Sequence, residues 1–196
     1  MNPLSVVLVD TMTFAYLQAL GQLELVRRVS VDTRRLGLTK SVLRELQRSC
    51  RLGPLVQSYC DRGELPLISP CAEDDLALTV SGVLGTPRSN AVRRNRVDSE
   101  LIELAASREG AVLSSERGIQ ELAAQRHVPT VDLVGFFAWA VRLGLVSDAE
   151  AGAATAPWAT AHAGATGAPP DLRGNLAGTM RQRGDRLAQL LSALGA

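Results

Sequence analysis

The stretch VDSELIELAASREGAVLSSERG, residues 97–118, decides the fold because it joins one helix to one strand and ends in a polar segment that contains Glu116. Its pattern predicts a helix of about eleven residues starting at Asp98, a turn at Gly110, a short strand Ala111–Leu113 and a polar exit. A rotation of about 100° per residue puts four apolar residues on one helical stripe. These are Leu101, Ile102, Leu104 and Ala105.

The same rotation places Asp98 on the apolar stripe and places Glu100 and Glu103 off it. A carboxylate on a buried stripe is costly unless another group compensates its charge. One compensation is the helix dipole, which favours an acid in the first turn. The other is a cation bound over the end of the sheet, where Glu116 also emerges. The sequence leaves both interpretations open.

The rest of the chain alternates strands with amphipathic helices, a pattern typical of α/β proteins. It predicts a three-layer α/β/α sandwich with a mostly parallel central sheet. Further strands are predicted at Leu4–Val9, within residues 35–40, at Leu65–Ile68 and within residues 127–134. Further helices are predicted at Met12–Leu20, Ser41–Arg48, Glu73–Leu84, Gly118–Gln125 and Phe136–Leu145.

Composition excludes several classes of protein. The 196 residues are 46% hydrophobic with a formal charge of +1, so no overall basic field attracts nucleic acid. The three cysteines show no metal-binding spacing, which favours reduced thiols and a cytoplasmic location. The longest apolar region, residues 131–146, contains Asp132 and Arg142, so no membrane partner is expected.

Two further acids lie where α/β proteins bind ligands. Asp10 directly follows the first core strand, and the carboxyl ends of parallel strands are the usual ligand-binding edge. Asp10 is equally suited to cap the next helix, and the two roles are compatible. Glu45 lies on the flank of a helix, from which it could reach the sheet end or face water.

An arginine-rich segment precedes Asp98. Four of its residues are candidate phosphate contacts, and a solvated loop is the alternative. They are Arg88, Arg93, Arg94 and Arg96.

The C-terminal part has a different composition. Residues 149–173 are rich in Ala, Gly and Pro, which indicates a linker after a domain of residues 1–148. Residues 174–196 form an amphipathic pattern that predicts a helix. That helix could dock on its own domain, on a second copy in a homodimer, or on another protein.

The order of the acids resembles the PIN-domain family of metal-dependent ribonucleases. The matching segments cover roughly residues 4–148 and are VVLVDTMTF, LTKSVLRELQR, VDSELIELA, AVLSSERGIQELA and VPTVDLVGFFAWAVRLGLV. The resemblance implies that four acids bind Mg²⁺ or Mn²⁺ and cleave RNA: Asp10, Glu45, Asp98 and Glu116. It also implies that Thr13 and Ser114 support these acids with their hydroxyl groups.

The resemblance implies an endoribonuclease, the toxin of a toxin–antitoxin pair, held silent by an antitoxin partner. Two departures from the family pattern stand against it. The stretch between Glu45 and Asp98 matches nothing specific in the family. The family usually carries Asp at the fourth position, and this chain carries Glu116, one methylene longer. The alternative is a catalytically weak or inactive PIN module that binds RNA or a protein partner.

Overall fold

A computed structural model of the chain describes residues 5–69, 89–161, 169–172 and 176–195, without the side chains of residues 89–95, 170 and 186. The helix expected at Glu73–Leu84 lies outside these residues. The strands of the described part are β1 (Val7–Val9), β2 (Leu36–Thr39), β3 (Leu67–Ile68), β4 (Ala111–Leu113) and β5 (Thr130–Val131).

These strands form one five-stranded sheet in the order β3-β2-β1-β4-β5, and every neighbouring pair is parallel. β1 is central, with Val7 opposite Leu36 of β2 and Ala111 of β4. From β1 the chain continues to β2 and β3 on one side of the sheet, and then to β4 and β5 on the other side of β1. The topological switch point therefore lies between the carboxyl ends of β1 and β4, where open parallel sheets bind ligands.

Helices flank the sheet, as the α/β prediction requires. The described ones are α1 (Thr11–Ala19), α2 (Leu23–Thr33), α3 (Lys40–Leu46), α4 (Leu52–Asp61), α5 (Ser89–Ser107), α6 (Arg117–Gln125), α7 (Leu133–Arg142), α8 (Asp148–Ala161) and α9 (Leu176–Ala193). A 3-10 turn, Pro170–Leu172, precedes α9. The expected α/β class and parallel sheet are confirmed, and the arrangement is consistent with three layers.

The core forms where the sequence is most apolar. All three residues of β1 and all three of β4 are buried, because both strands lie inside the sheet and are covered on both faces. The largest fully buried side chains include Trp139, Phe136 and Phe137 of α7.

The junction between α5 and β4 requires a glycine. A Cβ on Gly110 would lie 2.6 Å from the Val6 carbonyl oxygen.

Helix α5 differs from the expectation in its start. It begins at Ser89, so the arginine-rich segment is helical, and Asp98 lies more than two turns inside the helix. The predicted stripe of Leu101, Ile102, Leu104 and Ala105 is fully buried, as expected. Glu103 lies off this stripe, yet its side chain is only 4% exposed. Helix α6 packs against α5, and Arg126, directly after α6, forms an ion pair with Glu103.

Helix α8 occupies a stretch whose composition suggested a linker. It buries Ala151 and Thr155 and packs against α7 and α9. Helix α9 docks on its own domain, with Leu187 and Leu191 in the common core. Its axis kinks at Gly184, whose φ of 28° is a conformation that favours glycine. Residues 148–161 and 176–193 are therefore packed parts of the fold.

No described helix is long and apolar enough to cross a membrane.

Candidate active site

Asp10 stands where β1 ends and is only 2% exposed. Its Oδ1 accepts a hydrogen bond of 2.6 Å from the Thr13 backbone N–H, so it caps α1 as the local sequence predicts. Its Oδ2 accepts a 2.6 Å hydrogen bond from the Ser114 hydroxyl after β4. Burial raises the pKa of Asp10 to about 6, against the opposing effect of these hydrogen bonds, and the charge of Glu116 adds to the rise.

The two hydroxyl residues expected to support the acids are both buried. The Ser114 hydroxyl contacts Asp10 and also accepts a 3.1 Å hydrogen bond from the Glu116 backbone N–H. It therefore joins the ends of β1 and β4 across the switch point. The Thr13 hydroxyl donates to the Leu113 carbonyl at 3.1 Å, which ties α1 to the same strand end.

Asp98 faces the same region from helix α5 and is half-buried. Burial, together with the charges of Glu116, Asp10 and Glu45, raises the pKa of Asp98 to about 6. Because the helix begins at Ser89, Asp98 is too far inside it for stabilisation by the dipole, which fades within the first turn. The dipole interpretation of this acid is therefore wrong.

The other two acids, Glu116 and Glu45, lie on different elements: Glu116 follows β4, and Glu45 lies on α3. Glu116 occupies the N-cap position of α6, yet its side chain makes no capping hydrogen bond. Burial and the charge of Glu45 raise the pKa of Glu116. Glu45 is half-buried on α3, and its Oε2 accepts a 2.6 Å hydrogen bond from the Thr11 hydroxyl. Its side chain is therefore held against the start of α1, the helix that Asp10 caps.

The four carboxylates thus share one electrostatic environment at the carboxyl end of the sheet. Within the described ranges, no three Asp, Glu, His or Cys side chains lie close enough together to hold a metal ion directly. The two observations are compatible, because Coulomb interactions act over longer distances than the bonds of about 2 Å to Mg²⁺. Without a cation, repulsion also keeps like charges apart.

The chemistry of the donors suits a hard divalent cation. The candidate ligand atoms are carboxylate oxygens, which Mg²⁺ and Mn²⁺ prefer, and those of Asp10 and Glu45 accept hydrogen bonds from hydroxyl groups. Magnesium usually keeps several waters, so some acids can bind it through a water molecule. The residues that could hold the ion are Asp10, Glu45, Asp98 and Glu116.

The candidate phosphate contacts lie in or before helix α5. Arg96 is exposed. The backbone of Arg93 and Arg94 is helical, and their side chains lie outside the described part. Arg88 lies outside it altogether.

The sequence did not indicate the role of Asp171, which comes from the C-terminal part and is 6% exposed. Its Oδ2 accepts hydrogen bonds from the Ser115 hydroxyl at 3.0 Å and from the Val134 backbone N–H at 3.2 Å. Ser115 also accepts a 3.0 Å hydrogen bond from the Leu133 N–H. Asp171 thereby fixes the loop that carries Glu116. The only local signal was an acid directly after the uncharged stretch of residues 163–170.

No family model matches the chain, and neither the curated proteins nor the solved structures compared with it give a match. The assignment of the acids therefore depends on their position and chemistry.

Proposed function

We propose that this protein is a divalent-metal-dependent endoribonuclease with a PIN-like active site. The observation that supports it best is the set of four carboxylates around the β1–β4 switch point, three of which have raised pKa values. Charge repulsion without a neutralising cation is unfavourable to the fold, and strongly perturbed acids in a ligand-binding position are typical of functional sites. The proposed metal ligands are Asp10, Glu45, Asp98 and Glu116.

Each acid has a distinct part in this proposal. Both oxygens of Asp10 accept hydrogen bonds that hold its side chain in place, so this acid would set the position of the ion. Glu45 and Glu116 enter from opposite halves of the sheet, and Asp98 enters from α5. A bound Mg²⁺ or Mn²⁺ would supply Lewis acidity that eases deprotonation of an attacking water and neutralises charge on the phosphodiester.

The decisive experiment combines Mn²⁺ calorimetry with cleavage of single-stranded RNA. Wild type should bind the metal and cleave, whereas Asp10→Asn should remain folded and lose both activities, because it removes a ligand charge at almost constant shape. Asp32→Asn, which changes an exposed aspartate on α2, is the matched control and should behave as wild type. Cleavage that persists in excess EDTA, or in a folded Asp10→Asn variant, would refute the proposal.

The toxin role and the antitoxin partner come from the family resemblance alone. In a toxin–antitoxin pair, the partner gene usually lies beside the toxin gene. A small open reading frame immediately upstream, whose product binds this chain and stops RNA cleavage, is the expected result. A neighbouring gene product without effect on cleavage would argue against the toxin role.

A PIN-like module that binds RNA or protein without cleaving is the second candidate. It is favoured by the spacing of the acids, since no three of them in the described residues reach one ion directly. The presence of Glu116, whose side chain is longer than that of the Asp usual in the resembling family, also favours this second candidate. A folded sample that binds RNA and shows no Mn²⁺ binding at millimolar metal would favour this second candidate.

A further inference from the structure

An aromatic pair lies beside the acids, although aromatic residues form only 4% of the chain. Tyr16 of α1 and Trp158 of α8 meet edge-to-face, with ring centroids 6.2 Å apart and an interplanar angle of 72°. Both residues are half-buried. Since α8 lies in a stretch that composition assigned to a linker, the sequence did not predict this pair.

A cavity of about 430 Å³ adjoins Trp158, between the end of α1 and α8. None of the described residues that line it carries a charge. They are Ala19, Leu20, Gly21, Ala154, Pro157 and Trp158. An uncharged recess with an indole in its wall suits a flat, uncharged aromatic group, and none of the described side chains that line it is a cation that could hold a phosphate or a carboxylate.

Helix α1 connects this cavity to the acids. It begins directly after Asp10, and Thr11 at its first position holds Glu45. Tyr16 lies six residues after Asp10, which corresponds to about 9 Å along the helix axis at a rise of 1.5 Å per residue. Burial raises the pKa of the Tyr16 hydroxyl, and the charges of Glu116, Asp10 and Asp171 raise it further. Tyr16 therefore lies between the acid site and the cavity.

We propose that Trp158 and Tyr16, with the adjoining cavity, bind a nucleobase of single-stranded RNA whose backbone runs past the acids. Stacking on aromatic rings is available to every base, so this site tolerates different sequences. The choice of RNA rests on the function proposed above. A short strand with one phosphate at the carboxylates would bring a neighbouring base along α1 to Trp158.

Intrinsic fluorescence tests this site without any variant. The chain has two tryptophans, and Trp139 is 0% exposed in the core, so Trp158 is the accessible reporter. Oligoadenylate RNA, titrated into the full-length protein in EDTA and in Mg²⁺, should quench or shift the emission until it saturates. An abasic ribose-phosphate strand of equal length should not. An unchanged emission at millimolar oligoadenylate, or an equal response to the abasic strand, overturns the inference.

Variants of Trp158 distinguish a loss of base stacking from a general loss of structure. Trp158→Ala should weaken binding of labelled oligoadenylate about tenfold or more, and Trp158→Phe should retain most of the affinity because it keeps a ring. Leu55→Ala, which removes a 38% exposed side chain on α4 outside the cavity, is the control and should bind as wild type. Equal affinity of wild type and folded Trp158→Ala overturns the inference.

The outcomes also distinguish this inference from the proposed function. Quenching of Trp158 by RNA in a protein that neither binds Mn²⁺ nor cleaves would support the base site and refute the nuclease. Metal-dependent cleavage with an unchanged KM in Trp158→Ala would support the nuclease and refute the base site.

Discussion

Asp98 lowers the free energy of unfolding by an amount that depends on pH. Its pKa is about 6 in the folded protein, against an ordinary value of 3.8 in the unfolded chain. Between these values the folded state binds more protons than the unfolded state, so the free energy of unfolding falls as pH rises from about 4 to about 6. Asp98→Asn should therefore stabilise the metal-free protein at pH 7, by roughly 1–2 kcal/mol after allowance for solvent screening.

Urea denaturation at pH 4 and pH 7 measures this effect. Asp98→Asn should gain stability at pH 7 and little at pH 4, where the wild-type carboxyl is already protonated in the fold. Some pH dependence should persist in the variant, because Asp10 titrates in the same direction. Asp32→Asn should leave the stability at both pH values as in wild type. A loss of stability at pH 7 in Asp98→Asn would contradict the assigned electrostatics.

Glu116 tests whether the fourth acid is a metal ligand. Glu116→Asp restores the shorter acid typical of the resembling family and should retain or raise Mn²⁺-dependent cleavage. Glu116→Gln removes the charge and should depress cleavage about tenfold or more, since one ligand and its Coulomb attraction are lost. Initial rates at several Mn²⁺ concentrations compare the two. If both variants cleave as wild type, Glu116 is not a ligand.

The sequence predicted the position of Asp10 at a strand end better than the contacts around this residue. Asp10 follows an unbroken apolar strand, and strand ends can be read directly from such a pattern. The expected capping role of Asp10 is confirmed by the Thr13 contact. The partners of a side chain across the fold cannot be read this way. Ser114 reaches Asp10, and Ser115 reaches Asp171, through contacts that only the folded chain creates.

At the scale of elements, strands were predicted more reliably than helices. The expected strand Ala111–Leu113 has the same bounds in the structure, because a short apolar run between polar turns has few alternatives. Helices α2 and α4 were not predicted, since arginines or Gly and Pro interrupt their apolar patterns. Helix α8 was taken for linker, although alanine is the strongest helix former and tertiary packing supplies the rest.

The contact of Asp171 makes the C-terminal part an element of the site. Asp171→Ala should destabilise the protein by about 1–3 kcal/mol, because the Val134 N–H and the Ser115 hydroxyl lose a buried acceptor. It should also weaken Mn²⁺ binding, since the loop with Glu116 loses its support. Asp171→Asn keeps an acceptor oxygen and should cost less. Urea denaturation and calorimetry measure the two effects.

The control for Asp171 comes from the same region. Asp185 is an exposed aspartate of α9, and Asp185→Ala should change neither stability nor metal binding. If Asp171→Ala is as stable as wild type and binds Mn²⁺ equally well, this aspartate does not support the site.

At the scale of the whole molecule, strand order explains why acids far apart in sequence lie at the same edge of the sheet. Asp10 follows the central strand β1, and Glu116 follows β4, its neighbour on the other side of the switch point. The local pattern of each strand predicts that it is buried and parallel, but it does not state which strands are neighbours. That order depends on how the helices cover the two faces, which is a property of the complete chain.

The C-terminal helices should be required for a stable fold. Leu172, Leu187, Leu191 and Leu194 are each at most 9% exposed in the common core. Burial of a leucine contributes about 1.5–3 kcal/mol, so together they contribute roughly 6–12 kcal/mol, an upper estimate that is comparable with the whole stability of a typical domain. A chain of residues 1–148 should therefore aggregate or lose cooperative unfolding, as seen by gel filtration and circular dichroism. Cooperative unfolding of the truncated chain at the full-length urea midpoint would show that residues 1–148 form an independent domain.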